Sequence, residues 1–228
     1  MTKLIQINNP SLFLEFSSVY SLGKAIKNIY YVLKDTIQKE IYVLELNDNT
    51  KVRLDIRDDN FKTKRNVELR FLAQQNNVDL SKLLEYVASN GKMYIFTYWI
   101  EGSSFRDVSL SKQDTDELYI KFGRLVGHLN SIKENNMLLA SPDIRLENFI
   151  IDVSNNLFMV DHDMLEFLDR TTLDSFIVLS LVSKKCLAGI ERRVNMFLSG
   201  YSDFFDVGPI LESYRKLKDK YGQKLYFF

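Results

Sequence analysis

The sequence is poor in the residues on which several classes of protein depend. Its 228 residues include one cysteine, Cys186, so no disulfide can form within the chain and we expect a reducing compartment. Two histidines, His128 and His162, are too few for a Cys/His zinc site and leave few candidates for a histidine general base. Three prolines and nine glycines argue against a disordered or low-complexity chain.

Net charge and long apolar runs are also lacking. Thirty basic residues balance thirty acidic ones, so the composition does not indicate nucleic acid or an anionic membrane as a partner. No apolar stretch approaches the roughly 18–20 residues of a membrane span, and the first residues do not have the pattern of a secretory signal. We therefore expect a cytoplasmic protein without a membrane span and without a nucleic-acid partner.

The residues that are present predict a bilobal α+β fold. The first half contains strand-like segments, with turn signals at Asn47–Thr50 and at Asn90-Gly91, and one helical stretch at about 62–76. In the second half, residues 114–135 have the periodicity of an amphipathic helix, and the chain from about 171 is mostly helical in pattern. The stripe of that helix comprises Leu118, Phe122, Leu125, Val126, Leu129 and Ile132. We expect a β-rich N-terminal lobe at 1–100 and a helical C-terminal lobe at 101–228, and a cleft between two lobes is a common place for a ligand.

An unusual set of acidic and amide residues lies in the segment "SPDIRLENFIID", residues 141–152, and in "LFMVDHDML" just after it. Asp143 and Asn148 precede one apolar strand, and Asp161 and Asp163 follow the next. A hairpin of the two strands brings Asn148 close to Asp161, and their oxygens suit Mg²⁺ together with phosphate oxygens. The residues alone also fit ordinary turn and cap polarity, so both interpretations stay open at this level.

In order and spacing, these segments resemble the catalytic loop and metal-binding segment of kinase-fold small-molecule phosphotransferases. This family includes the aminoglycoside phosphotransferases, the choline kinases and the bacterial lipopolysaccharide-core sugar kinases. The resemblance implies that Asp143 is the catalytic aspartate and that Asn148 and Asp161 hold the metal. It also implies a protein-kinase-like fold with ATP and Mg²⁺ as cofactors.

The N-terminal half resembles the nucleotide-binding half of the same family. "YIFTYWIEGSSF" resembles the strand and hinge that join the lobes, which implies that Tyr98 and Ile100 bind the nucleotide. Gly23 is the candidate for the glycine loop, and Glu68 matches the helix glutamate that pairs with a strand cation. The strand itself departs from the family pattern, because Asp55 stands where a cation is expected, or Glu45 if "IYVLEL" is that strand. Arg53, with Lys51 and Arg57 as alternatives, is the expected substitute that pairs with Glu68.

Three functions follow as hypotheses. The first is an ATP- and Mg²⁺-dependent phosphotransferase that acts on a hydroxyl of a small molecule or a glycan sugar, and the basic segment "SKKCLAGIERRV" favours an anionic acceptor. The second is a kinase-fold pseudoenzyme that acts as a binding or regulatory scaffold, for which the missing strand cation and the thin glycine loop argue. The third is a metal-dependent hydrolase that uses Asp143, Asp161 and Asp163.

Overall fold

The chain forms two compact units. The computed structural model describes residues 3–21, 23–33, 40–111, 115–182 and 190–221. The first unit comprises Met1–Phe71 and Ser81–Ile100, and the second comprises Leu72–Leu80 and Glu101–Phe228. One boundary thus lies at the end of the predicted hinge strand, whereas the sequence did not indicate that residues 72–80 belong with the second unit.

The first unit is an antiparallel sheet with two helices. The strand order is β1-β2-β3-β4-β6-β5, with β1 (Lys3–Ile7), β2 (Ile26–Leu33), β3 (Glu40–Leu46), β4 (Lys51–Asp58), β5 (Leu83–Ser89) and β6 (Lys92–Tyr98). Both predicted turns are present, and in each an asparagine takes the left-handed conformation, Asn49 at φ 63° and Asn90 at φ 51°. The predicted helix is α2 (Phe61–Gln75).

The sequence predicted one helix in this unit, and the structure adds a second, α1 (Pro10–Val19). Asn9 caps this helix by accepting a hydrogen bond from the Ser11 N–H, and Pro10 occupies its first turn. Its buried Phe16 packs with Val52 and Leu54 of β4, so α1 covers one face of the sheet. On the opposite face of the sheet, Val67 of α2 packs with buried strand residues. The sheet offers both faces because alternate side chains of a strand point to opposite sides.

The second unit is mainly helical, as predicted. Its helices are α3 (Phe105–Ser111), α4 (Asp116–Ser131), α5 (Arg170–Val182), α6 (Ile190–Tyr201) and α7 (Gly208–Tyr221). Its strands are β7 (Gly102–Ser104), β8 (Lys133–Glu134), β9 (Met137–Ala140), β10 (Phe149–Asp152), β11 (Leu157–Met159) and β12 (Glu166–Leu168). All six residues of the stripe predicted for α4 are buried. The helix ends at Ser131, earlier than predicted, because the chain pairs as β8 from Lys133. Within the described residues, no helix has the length and apolar character needed to span a membrane.

Helices α4 and α6 approach closely through glycines. A Cβ atom added at Gly200 would lie 2.0 Å from the Ile120 carbonyl oxygen, and one at Gly123 would lie 1.9 Å from the Phe197 carbonyl oxygen. Both clashes are with backbone, so a side chain at either position can be accommodated only if the helices move apart.

We therefore expect Gly200→Ala to lower the free energy of unfolding by about 1–3 kcal/mol, the usual cost of overpacking. Urea unfolding of the variant checks this. The exposed neighbour Ser199→Ala is the matched control, and equal stability of the two variants would contradict the close helix contact.

Candidate active site

Two loops of the second unit run side by side because their ends are fixed by the same strand pairs. The first loop connects β9 to β10 and carries Asp143, while the second connects β11 to β12 and carries Asp161. β9 pairs with β12, and β10 pairs with β11. The predicted hairpin is thus confirmed, and the hydrogen bond from the Val160 N–H to the Asn148 carbonyl extends it by one step.

A third strand fixes the position of this hairpin. β7, in the predicted hinge segment, pairs with β10 so that Gly102 lies opposite Asp152. A Cβ at Gly102 would lie 2.1 Å from the Ile151 carbonyl oxygen, so only glycine permits this close approach. The "EGSSF" segment therefore supports the strand that follows Asn148.

Asn148 is held with its amide oxygen available as a ligand. It lies in the 3₁₀ turn Leu146–Asn148 and is only 6% exposed. Its amide nitrogen donates to the Asp143 carbonyl oxygen at 3.0 Å, which leaves Oδ1 as the remaining side-chain acceptor. Asp161, half-buried on the neighbouring loop, supplies a carboxylate whose Oδ1 accepts from the Asp163 N–H at 3.4 Å. One amide oxygen and one carboxylate are hard ligands that fit Mg²⁺ when phosphate and water oxygens complete its shell.

Asp143 is held by an arginine two residues further along its own loop. Arg145 donates from Nε to one carboxylate oxygen and from Nη2 to the other, the second at 2.6 Å. The pair is bidentate, which fixes the plane of the carboxylate as well as its position. The hydrogen bond to Asp143 raises the pKa of Arg145, and the charges of Asp143 and Asp161 add to this effect. The carboxylates of both loops therefore act on the Arg145 guanidinium. No feature of the sequence indicated this role beyond the departure from the family pattern at that position.

His162, between the two aspartates, has a structural role. It is 1% exposed, and its Nε2 lies 2.7 Å from the Met159 carbonyl oxygen. A buried ring bonded to backbone fits the structural interpretation better than that of a metal ligand or proton shuttle.

The nucleotide-binding residues expected in the first unit are arranged differently from the prediction. β4 directly precedes α2, so Asp55 and not Glu45 stands at the position of the expected cation. Arg53 pairs with Asp55 at 2.8 Å, whereas Glu68 is on the exposed face of α2 and pairs with Arg65 at 3.2 Å. The predicted Arg53–Glu68 pair was therefore wrong, because the acid next to Arg53 on its own strand is buried and Glu68 is not.

The remaining candidates of the first unit lie at the ends of strands. Gly23, at φ +76°, is exposed ahead of β2, close to the point where the Asn47 N–H donates to the Ala25 carbonyl. Residues 34–39, which connect β2 to β3 in the sequence, lie outside the described residues. Tyr98 ends β6 and is 43% exposed, and Ile100 is half-buried at the last position of the unit.

A groove of about 520 Å³ in the second unit has no lining residue from these two loops. It is lined in part by Asp79, Lys121, Arg124, His128 and Phe204. Arg124 pairs with Asp203 at 2.7 Å, and Lys121 pairs with Glu117 at 2.9 Å. Because these cations already have acidic partners, we assign no ligand to the groove.

The chain is similar in fold to several solved structures although its sequence has no match. No family model matches the chain, and no curated protein matches it in sequence. A spectinomycin phosphotransferase in complex with ADP and spectinomycin superposes with a TM-score of 0.68 at 11% identity, over 96% of this chain and 88% of that one. A macrolide 2′-phosphotransferase of type I gives 0.62 at 11% identity, over 98% and 90%. An aminoglycoside-3′-phosphotransferase of type VIII gives 0.54 at 13% identity, over 82% and 92%. The chain therefore has the kinase-like fold of the small-molecule phosphotransferases.

Proposed function

We propose that the protein is an ATP- and Mg²⁺-dependent phosphotransferase that acts on a hydroxyl group of a small molecule or a glycan sugar. The observation that carries the proposal is the arrangement of Asp143, Asn148 and Asp161 on two adjacent loops of a phosphotransferase fold. Structural neighbours bound to ADP and to AMP support a nucleotide as the ligand.

Three residues of the two loops have defined tasks in this reaction. Asp143 accepts the hydrogen bond of the acceptor hydroxyl and takes its proton as the acceptor oxygen bonds to the γ-phosphorus. The bond between that phosphorus and the β–γ bridging oxygen breaks, and ADP leaves. Asn148 and Asp161 would hold Mg²⁺, which neutralises charge on the β- and γ-phosphate oxygens. Positioning and charge neutralisation supply most of the catalysis in such transfers.

Residues of the first unit would bind the rest of the nucleotide. Arg53 contacts phosphate oxygens in this proposal, Tyr98 and Ile100 line the base, and Gly23 lies near the phosphates. We leave Glu68 out of the nucleotide site because it is exposed and pairs with Arg65.

The acceptor is a hydroxyl compound, as the names of the neighbours suggest: spectinomycin, a macrolide and aminoglycosides. Residues 183–189 of the basic segment, which favoured an anionic acceptor, lie outside the described residues. In the described part, Arg192 pairs with Asp116 at 2.6 Å, and Arg193 lies over the ring of Tyr119 at 5.6 Å. The described arginines of this segment thus have contacts within the fold. They do not favour an anionic acceptor over a neutral sugar.

Arg145 is a positioning residue for this reaction, and its removal has a specific signature. We expect Arg145→Gln to lower kcat about tenfold or more, because the carboxylate of Asp143 loses the bidentate partner that fixes its plane, and misorientation of a reacting group is costly in rate. The KM for ATP should change less, because the Asp143–Arg145 pair orients the base that takes the proton of the acceptor hydroxyl. Arg145→Lys should restore only part of kcat, because lysine cannot form the bidentate pair. Steady-state kinetics of the three proteins test this, and an unchanged kcat in Arg145→Gln would remove the role.

The pseudoenzyme scaffold is the second candidate, and two observations favour it: Asp55 occupies the strand position of the expected cation, and Glu68 is exposed. The hydrolase hypothesis has less support, since among the described ranges no three acidic, histidine or cysteine side chains form a metal-binding group. Transfer of labelled phosphate from ATP to a panel of sugars, antibiotics and water separates the three. Transfer to an acceptor supports the proposal, whereas tight nucleotide binding without transfer supports the scaffold.

A further inference from the structure

Two buried polar side chains of the second unit, Asn130 and Tyr201, form a hydrogen-bonded pair. Asn130 is 1% exposed near the end of α4, and Tyr201 is fully buried at the end of α6. The Tyr201 hydroxyl donates to Oδ1 of Asn130 at 3.2 Å. Burying two polar groups costs free energy unless both are paired, so the use of this pair lies in what else Asn130 contacts.

The other half of the Asn130 amide supports strand β9. Its Nδ2 donates to the Leu139 carbonyl oxygen at 2.8 Å. β8 pairs with Met137 and Leu138, and Leu139 is the next residue of β9. The Leu139 N–H donates to the Ile132 carbonyl oxygen at 2.8 Å, and its own carbonyl is satisfied by the Asn130 side chain. Asn130 thus extends the hydrogen-bond ladder of β9 by one residue.

This part of β9 directly precedes the loop that carries Asp143. β9 ends at Ala140, and the Asp143 N–H donates to Oγ of the buried Ser141 at 3.3 Å. The other end of the loop is held by β10, which pairs with β7 and β11. A displacement of β9 would therefore move the first residues of the loop and, with them, the Asp143 carboxylate.

The hydroxyl of Tyr201 determines how the Asn130 amide is oriented. A backbone carbonyl can only accept, so Nδ2 must face Leu139, and Oδ1 must face the hydroxyl, which donates. Burial raises the pKa of Tyr201, so the hydroxyl keeps its proton at neutral pH. Without this donor, nothing in the pair would hold the amide in the orientation that serves Leu139.

The ring of Tyr201 is held in place by its neighbours. It stacks with Phe205 at a centroid distance of 5.2 Å, and the guanidinium of Arg170 lies 5.9 Å from its centroid. A Cβ added at Gly127 of α4 would lie 3.3 Å from ring atom Cδ2, so the ring packs closely on that helix. Asn130 follows Gly127 by about one helical turn, so the hydroxyl has a fixed position beside the amide.

We propose that Asn130 and Tyr201 are positioning residues for phosphoryl transfer. Asn130 fixes the strand that leads into the Asp143 loop, and the Tyr201 hydroxyl fixes Asn130. The inference deepens the proposed function and rests on it. Both side chains act through β9 on the orientation of the Asp143 carboxylate, and neither takes part in the chemistry.

Tyr201→Phe tests the pair selectively, because it removes one hydroxyl and keeps the ring. We expect kcat to fall about tenfold, since misplacement of a reacting group by about 1 Å can cost about 10²-fold. The KM for ATP should stay close to that of wild type, because the nucleotide contacts proposed for the first unit are unchanged. Initial rates with labelled ATP and an active acceptor give both constants, at a temperature at which circular dichroism shows each variant to be fully folded.

Asn130→Leu and the double variant test whether the two residues act in series. Asn130→Leu should lower kcat at least as much as Tyr201→Phe, and adding Tyr201→Phe to Asn130→Leu should lower it no further. The matched control is Tyr94→Phe, which removes the hydroxyl of a buried tyrosine of the first unit, bonded to Glu15 at 2.7 Å. This control should keep the wild-type kcat. If Asn130→Leu does not fold, the comparison of Tyr201→Phe with Tyr94→Phe carries the test.

Hydrogen exchange tests the pair without any acceptor. In Tyr201→Phe, the amide of Leu139 and the amides of the loop at residues 141–148 should exchange faster than in wild type, and by a larger factor than the amides of α7. Tyr94→Phe should leave the exchange of Leu139 and the loop unchanged.

Each result has a defined meaning. Faster exchange of the loop together with a lower kcat and an unchanged KM for ATP supports the inference. Unchanged exchange of the loop, a wild-type kcat in Tyr201→Phe, or additive losses of kcat in the double variant would each overturn it. If wild type transfers no phosphate to any acceptor, the proposed function fails, and the exchange of Leu139 and the loop still decides whether the pair positions them.

Discussion

Asp143→Ala should abolish most phosphoryl transfer while leaving the fold and nucleotide binding intact. The carboxylate orients the acceptor hydroxyl and takes its proton, and positioned proton transfer typically contributes about 10²–10⁴-fold to rate. A loose, metaphosphate-like transition state asks little of the base, so orientation is the larger part of this effect. Initial rates with labelled ATP and an active acceptor measure it.

Stability should hardly change in this variant, because solvent reaches the Asp143–Arg145 pair, with side-chain exposures of 26% and 54%. Exposed ion pairs contribute about 0–1 kcal/mol. The matched control is Asp203→Ala, which removes an exposed carboxylate from Arg124 elsewhere in the same unit. A variant at Asp143 as active as the Asp203 control would make Asp143 an ordinary turn residue.

Asp161→Asn should remove the Mg²⁺-dependent part of nucleotide binding. The substitution keeps the shape of the side chain but replaces a charged metal ligand with a neutral one, and Mg²⁺ is usually bound through one or two carboxylates and substrate phosphates. We expect the affinity for ATP in the presence of Mg²⁺ to fall on the order of tenfold or more, a loss of about 1.4 kcal/mol at least.

Titration of an ATP analogue with and without Mg²⁺ tests this assignment. In wild type, Mg²⁺ should strengthen binding, and in Asp161→Asn it should do so much less, while binding without Mg²⁺ stays similar. Asp203→Asn should behave as wild type. The same Mg²⁺ dependence in Asp161→Asn and wild type would remove Asp161 from the metal site and with it the hairpin argument for Asn148.

Local sequence was enough to predict the elements that support the candidate site. The turn at Asn90-Gly91, the stripe of α4 and the hairpin of β10 and β11 depend on backbone conformation and on short-range periodicity, which neighbouring residues determine. The spacing of Asp143, Asn148 and Asp161 around that hairpin followed from the same local patterns. The position of the loop that carries Asp143 also depends on a strand pair that the sequence did not reveal, β9 with β12.

Charge partners could not be predicted in the same way. Arg53 was expected to reach Glu68, but which of several acids an arginine meets depends on which of them is buried beside it. Asp55 is on the covered face of the sheet and Glu68 is on the exposed side of α2. The positions of residues 72–80 and of helix α1 could not be predicted for the same reason. Each depends on a surface that is distant in sequence.

The sequence by itself determined strands β2 to β6, helices α2 and α4, which residues flank the β10–β11 hairpin, and that the chain resembles a phosphotransferase. Tertiary structure alone decided that Arg145 holds Asp143, that His162 is buried against backbone, and that Asp55 pairs with Arg53 and Arg57. The physical reason is range: backbone preferences and periodicity act over a few residues, whereas burial and ion pairing depend on which distant segments share a face, and local sequence does not specify this.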